Sequence, residues 1–316
     1  MIRQSDIRHM VIAGAGLMGA SMAQIFAKYG YTVTLYDIFE AGIEKGKELI
    51  RINQAASIEA GDLTAEESAE ILARISYSME RECFRDADYV IEAIVENLDV
   101  KKEFWSAVSE IAKEDAVLTT NTSGLSITAI AEAVKRPERF AGMHWVNPPH
   151  LIPLVEVIAG DKTAEETLTI VKDVAESIHK KPVLVKKDVP GFILNRLQFS
   201  VLREALNIVE NGVASIEDVD NVMKYGLGMR YAGIGPFETV DLGGLDTFYK
   251  VASYLFRDLA DTKEVTGLLA ELYQNGDYGT KTGKGFYDYS GDKAEKAIDK
   301  RDKTFIKLAK CLYSDL

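Results

Sequence analysis

Residues 9–29 read HMVIAGAGLMGASMAQIFAKY. His9 to Ala13 form a short apolar run, Gly14-Ala15-Gly16-Leu17-Met18-Gly19 follows, and Ser21 to Tyr29 carry apolar residues at helical spacing. Strand, tight turn and helix in that order are the context in which GxGxxG binds a dinucleotide. The glycines have separate jobs: Gly14 allows the turn, Gly16 lets a pyrophosphate approach the backbone, and Gly19 lets helix pack on strand. The N-terminus of the helix, where Leu17 and Met18 stand, then faces the anion. A second apolar run, Tyr31 to Tyr36, ends in Asp37 at about the spacing of a ribose-binding acid. A carboxylate there accepts from ribose hydroxyls and repels a 2′-phosphate, and Ile38-Phe39-Glu40 offers no arginine. The expected cofactor is NAD rather than NADP. The competing reading, a merely glycine-rich turn, has no use for Asp37.

Outward from this unit, Glu40 to Ser76 reads as an inserted helical pair, with Gly61-Asp62 as its turn and Thr64-Ala65-Glu66-Glu67 as a helix start. Strands resume at Tyr89 to Ile94, followed by Glu96-Asn97 and a helix from Val100 to Ala112. A further strand, Ala116 to Thr120, runs into Asn121-Thr122-Ser123, and a helix starts near Ser126. Another helix, Thr163 to Ser177, leads to a strand at Val183 to Val185. The texture changes at Asp188-Val189-Pro190-Gly191, after which Phe192 to Val209 and Leu245 to Leu259 read as amphipathic helices. The expected fold is α/β: a Rossmann-type, doubly wound, mainly parallel sheet with an inserted helical pair over 1–187, then an all-helical C-terminal domain over 188–316. The apolar helices of that domain are long for so few residues, which predicts a homodimer through it.

Gly142 to Ile158 reads GMHWVNPPHLIPLVEVI. His144 stands where an apolar run ends, Pro148-Pro149 breaks the chain, and a second apolar run carries a lone acid, Glu156. Burying that carboxylate is expensive unless something pairs with it, and an imidazole is the obvious partner. A core histidine beside a rim glutamate is the other reading of the same residues. Polar residues at the carboxyl ends of parallel strands sit on the ligand side of such a sheet, which puts Glu96, Asn121, Ser123 and His144 on one rim.

The bulk numbers exclude several partners. A net charge of -12 without a basic, aromatic-interleaved cluster argues against nucleic acid. The N-terminal apolar run is cut short by glycine, so neither a signal peptide nor a membrane span is expected there. Cys83 and Cys311 show no CxxC or metal-ligand spacing, which points to reduced thiols in a cytoplasm. His144 and His150 flank two prolines without an acidic or cysteine cluster, so no metal is expected. Lys281-Thr282-Gly283-Lys284-Gly285 is not a P-loop, because no glycine stands at the upstream spacing and no strand precedes it.

Six stretches agree with one family: NTSGLSI at 121–127, MHWVNPP at 143–149, PLVEVI at 153–158, PGFILNRL at 190–197, GPFETVD at 235–241 and GTKTGKGFYDY at 279–289. In this order, over nearly the whole chain, they resemble the 3-hydroxyacyl-CoA dehydrogenase family. The resemblance implies that His144 is the general base or acid, that Glu156 orients it, and that Ser123 and Asn195 hold substrate oxygens. It also implies cofactor contacts by Glu96, Lys101, Asn121, Ser123 and Lys281. Oxidising a secondary alcohol requires a base for the hydroxyl proton as hydride leaves, and a histidine suits that near neutral pH.

The departures from the family bear on the substrate. Gln54-Ala55-Ala56-Ser57-Ile58-Glu59-Ala60 lacks the lysines that the CoA-thioester enzymes turn toward phosphates. Trp145-Val146 stands where a pair of phenylalanines is typical, making Trp145 an expected substrate contact, and Pro149 adds a second proline. Tyr225 to Ala232 places Arg230 ahead of Gly235-Pro236 and is similar to the branch with L-gulonate 3-dehydrogenase and lambda-crystallin, which acts on free hydroxy acids. Guanidinium binds carboxylate through two parallel hydrogen bonds, so Arg230 is the candidate clamp for a free acid; a structural salt bridge is the alternative. A small 3-hydroxy or 3-oxo acid is thus expected, with an L-3-hydroxyacyl-CoA substrate, or a non-catalytic dinucleotide-binding or structural protein, as the other readings.

Overall fold

The structure, a computed structural model, describes residues 3–59 and 61–313; Ala60, which ends the lysine-free run, lies outside them. The first compact unit runs to Asn195 and the second starts at Arg196. No helix among the described residues is long and apolar enough to cross a membrane.

The first unit is built on eight strands. They are β1 (His9–Ala13), β2 (Thr32–Tyr36), β3 (Ile75–Ser78), β4 (Tyr89–Glu92), β5 (Val117–Thr120), β6 (Phe140–Trp145), β7 (Leu154–Ile158) and β8 (Lys181–Val185). The order across the sheet is β3-β2-β1-β4-β5-β6-β7-β8. From β3 to β6 all neighbours are parallel; β7 runs antiparallel to β6, and β8 is parallel to β7. The mainly parallel, doubly wound sheet therefore has a reversal at the β6–β7 junction, where the Pro148-Pro149 break falls.

Helices cover both faces. Met10 and Ile12 of β1 pack with Phe26 of α1 (Leu17–Lys28) and with Ile170 and Val174 of α6 (Glu165–Ser177). Val11 and Ala13 pack with Trp105 and Val108 of α4 (Leu98–Ile111) and Ile127 and Ile130 of α5 (Ile127–Ala131). Strand alternation thus assigns the residues from Met10 to Ala13 to one of two cores each. The inserted pair is α2 (Glu40–Glu59) and α3 (Ala65–Ala73), the latter started by the capping box of Thr64 and Glu67. β3 corrects the reading of 40–76 as helical throughout. Its sequence, ISYS, is too short to display a period of its own, and pairing with β2 makes it a strand.

Gln54, in the lysine-free run, is buried, donating to the Gln24 carboxamide oxygen at 2.9 Å and accepting from the Ser68 hydroxyl at 2.9 Å. It ties α2 to α1 and α3 rather than facing solvent.

In the second unit α7 (Leu194–Glu210), which starts two residues before the division, is followed by α8 (Ile216–Val222), α9 (Met229–Gly233), α10 (Pro236–Gly243), α11 (Leu245–Leu255), α12 (Gly267–Gln274) and α13 (Lys293–Leu312). A wider π-helical turn, Met223–Gly228, joins α8 to α9. Among its described residues only Thr239 is buried, whereas Phe237, Leu242 and Phe256 are 85%, 77% and 75% exposed.

The glycine turn after β1 is close-packed. Gly14 has φ +104°, and a Cβ there would stand 2.5 Å from the Ala93 carbonyl oxygen. A Cβ on Gly19 would stand 1.8 Å from the Gly14 carbonyl oxygen. Since that obstacle is backbone, Gly19→Ala should lower the stability of the first unit by about 1–3 kcal/mol. A lower thermal or urea midpoint checks this; an unchanged midpoint would mean that the turn yields.

Candidate active site

The antiparallel register of β6 and β7 puts His144 directly opposite Glu156. Residues so paired on one face of a sheet have Cβ atoms about 4.5–5.5 Å apart, within reach of a side-chain hydrogen bond. His144 Nδ1 lies 2.8 Å from Glu156 Oε2, with the two residues 4% and 1% exposed. The other oxygen, Oε1, accepts from the backbone amides of Ile193 and Leu194, each at 2.9 Å. Burial pushes the Glu156 carboxyl up, but the bonds from His144, Leu194 and Ile193 outweigh it and hold the group below the ordinary glutamate range. An ionised Glu156 can only accept, so the shared proton is assigned to His144 Nδ1, and in the neutral ring Nε2 is then the acceptor.

The amides come from the segment 188–195, which closes over this edge of the first unit. Asp188 accepts from the Ser126 hydroxyl at 2.6 Å and the Thr128 amide at 2.8 Å, anchoring the segment to the start of α5. Asn195 Nδ2 donates to the Ser123 carbonyl at 2.8 Å. These bonds explain why the compact unit extends to Asn195.

Ser123 and Glu96 are also joined. Glu96 Oε1 accepts from the Ser123 amide at 2.8 Å and the Thr122 hydroxyl at 2.5 Å. Beneath them lies Glu92, fully buried at the end of β4, which sequence reasoning passed over as one polar residue in an apolar run. Its Oε1 accepts from Lys101 Nζ at 2.5 Å and the Ile94 amide at 2.9 Å; its Oε2 accepts from Thr120 Oγ1 at 2.6 Å and Trp105 Nε1 at 3.3 Å. Lys101 also lies 3.4 Å from Glu96 Oε2. The Lys101 side chain is 0% exposed between the two carboxylates and reaches the rim through Glu96. Asn121 Oδ1 is engaged by the Trp145 amide at 2.8 Å, which fixes the end of β6 to the end of β5.

Trp145 turns to the core side of β6. Successive residues of a strand point to opposite faces, so the neighbour of His144 cannot share its side. Trp145 is 2% exposed in the core with Phe26, whose ring centroid lies 5.7 Å away. Its other face meets Lys180, whose ammonium is 5.3 Å from the ring centroid and donates to the carbonyls of Pro149 at 2.5 Å and Ile152 at 2.8 Å. Burial pulls Lys180 down to about 8. Lys180 holds the loop between β6 and β7, a job that nothing in its sequence neighbourhood signals.

Models of two domains match the chain: the NAD-binding domain of 3-hydroxyacyl-CoA dehydrogenase over residues 9–189, and the C-terminal domain of the same enzymes over residues 191–289. The chain belongs to the 3-hydroxyacyl-CoA dehydrogenase family. It is 34% identical over 306 residues to 5-formyl-3-hydroxy-2-methylpyridine 4-carboxylate 5-dehydrogenase of Mesorhizobium japonicum, covering 97% of this chain and 98% of that one. It is 38% identical over 282 residues to 3-hydroxybutyryl-CoA dehydrogenase of Clostridioides difficile, covering 89% and 99%. A crystal structure of a 5-formyl-3-hydroxy-2-methylpyridine 4-carboxylic acid 5-dehydrogenase, described as an NAD+-dependent dismutase, has a TM-score of 0.89 and 34% identity, covering 97% and 98%.

The first unit of this family member is an NAD-binding domain, and its residues fit the dinucleotide. Gly16 precedes α1 with no atom within 4 Å of where its Cβ would stand, so a pyrophosphate can approach the backbone and the helix N-terminus. Gly14, Leu17, Met18 and Gly19 complete the turn, with Leu17 half exposed. Asp37 stands just past the end of β2. Its Oδ2 accepts from the Ala15 amide at 2.9 Å and its Oδ1 from the Phe39 amide at 3.1 Å, so Asp37 braces the glycine turn. Arg230 lies on α9 and Lys281 in the Gly279–Tyr289 turn, both exposed and both in the second unit.

Gly42, which the sequence does not single out, stands against Asp37. A Cβ there would fall 2.5 Å from Asp37 Cγ. Gly42→Ala should displace that carboxylate and raise the Michaelis constant for NAD about tenfold, the scale of one hydrogen bond to a charged group. An unchanged constant would remove Asp37 from cofactor recognition.

Proposed function

We propose that this dehydrogenase interconverts the 3-hydroxy and 3-oxo forms of a short, free carboxylic acid, with His144 as general base in the oxidative direction. The buried 2.8 Å bond between His144 Nδ1 and Glu156 carries the reading. With Nδ1–H committed to the carboxylate, Nε2 takes the substrate hydroxyl proton as the alcohol is oxidised. NAD, held by Gly14, Gly16, Leu17, Met18, Gly19 and Asp37, supplies the hydride acceptor. Glu156 then stabilises the imidazolium and keeps the ring from turning, as the aspartate of a hydrolytic triad does. Ser123 and Asn195 hydrogen-bond the substrate oxygens, and Glu96 positions the Ser123 backbone.

Three observations support a free acid. Gln54 is spent inside the helical pair, the described residues from 54 to 59 include no cation, and the Mesorhizobium relative is named for a pyridine carboxylate. Arg230 is the carboxylate clamp we propose. A 3-hydroxyacyl-CoA substrate is the second reading, supported by the Clostridioides relative. We further propose a homodimer through the second unit, whose exposed Phe237, Leu242 and Phe256 call for cover.

NADH formation with free 3-hydroxy acids beside matched CoA thioesters tests the reading. Free acids should be turned over, and His144→Ala should lower kcat by about 10²–10⁴-fold. Turnover of thioesters alone would overturn the free-acid assignment, and full activity without His144 would overturn the base. In the same assay Arg230→Ala should raise KM for the best free acid about tenfold, with lysine a poor substitute; unchanged kinetics would remove Arg230 from the site.

A further inference from the structure

We infer that Phe192 is a positioning residue for the His144–Glu156 pair, serving one member with its ring and the other with its backbone. The inference rests on the reading of His144 as the base. Phe192 is 1% exposed, and its ring centroid lies 5.7 Å from that of His144 at an interplanar angle of 57°. His144 is thereby fixed at two points: Glu156 holds Nδ1, and the phenyl ring limits rotation of the imidazole about that bond.

The backbone of Phe192 has φ +50°, directly after Gly191 at φ +75°. A side chain with a Cβ is disfavoured in this left-handed region, and such conformations persist where the surroundings over-determine them. The surroundings here are specific. The Phe192 amide donates to the Val189 carbonyl at 3.1 Å, closing a tight turn, and the next two amides, Ile193 and Leu194, converge on Glu156 Oε1. Successive amides presented by a turn of this kind form an anion-binding concavity. Glycine would fit the backbone at position 192 better than phenylalanine, so what phenylalanine adds there is its ring, which packs in the core cluster with Ile127 and Ile158 and lies against His144.

That conflict between backbone and side chain makes the idea testable. Phe192→Gly retains the turn and its amides but removes the ring; Phe192→Leu restores apolar bulk. For the best substrate, Phe192→Gly should lower kcat about tenfold or more while KM for NAD stays within about twofold, and Phe192→Leu should recover most of the loss. Wild-type kcat in the glycine variant, or a leucine variant no better than glycine, would overturn the inference. So would a fall in kcat matched by an equal rise in KM for NAD, because that is general damage to the unit. Should the glycine variant fail to fold, Phe192→Ala takes its place with the same readings. His144→Ala, run in parallel, separates the two ideas: an active His144→Ala enzyme overturns the base, whereas an inactive one beside an unimpaired Phe192→Gly overturns the positioning role alone.

Discussion

A carboxylate removed from water must be given partners that replace its hydration, and the site side of the first unit is arranged around that requirement at Glu156. One oxygen meets an imidazole because β7 is reversed against β6 in the register that sets Glu156 opposite His144. The other meets two amides because the segment from Asp188 to Asn195 is tied down at Ser126, Thr128 and Ser123. Lys180, just ahead of β8, holds the loop that makes the reversal. Strand direction, loop and strap are thus three parts of one solution, and a histidine with a fixed tautomer is its chemical product.

Glu92 shows the same problem solved with a different partner. It is enclosed at the end of a parallel strand and satisfied by Lys101, Thr120, Trp105 and the Ile94 amide. Breaking such a fully paired group would leave a buried charge uncompensated. Because Lys101 also reaches Glu96, and Glu96 holds the Ser123 amide, this second carboxylate supports the rim from below. The two networks meet at Ser123, whose carbonyl is held from the strap and whose amide is held from the sheet.

Much of the fold was legible because its signals are local. The glycine turn, the apolar runs of β1 and β2 and the Thr64 capping box each declare themselves within a few residues. Pairing of His144 with Glu156 was also legible, since a lone acid in an apolar run demands a partner. β3 was not, because four residues carry no period and the pairing that makes them a strand comes from β2. The burial of Trp145 was not legible from its place beside His144, because the alternation of a strand separates neighbours. Nor was the burial of Lys101 or the closeness of Gly42 to Asp37 legible, because each depends on residues that fold in from elsewhere.

Gln54 restricts how this chain could change its substrate. Its amide completes a closed set with Gln24 and Ser68, in which each group supplies what the others lack. A lysine introduced there would strand an ammonium among those partners, so acquiring a cation on that turn of α2 would cost the packing of three helices at once. Ala55, Ala56 and Glu59 are exposed and carry no such obligation. This stretch of α2 is therefore free to vary its charge at its exposed positions, Ala55, Ala56, Ile58 and Glu59, and not at Gln54.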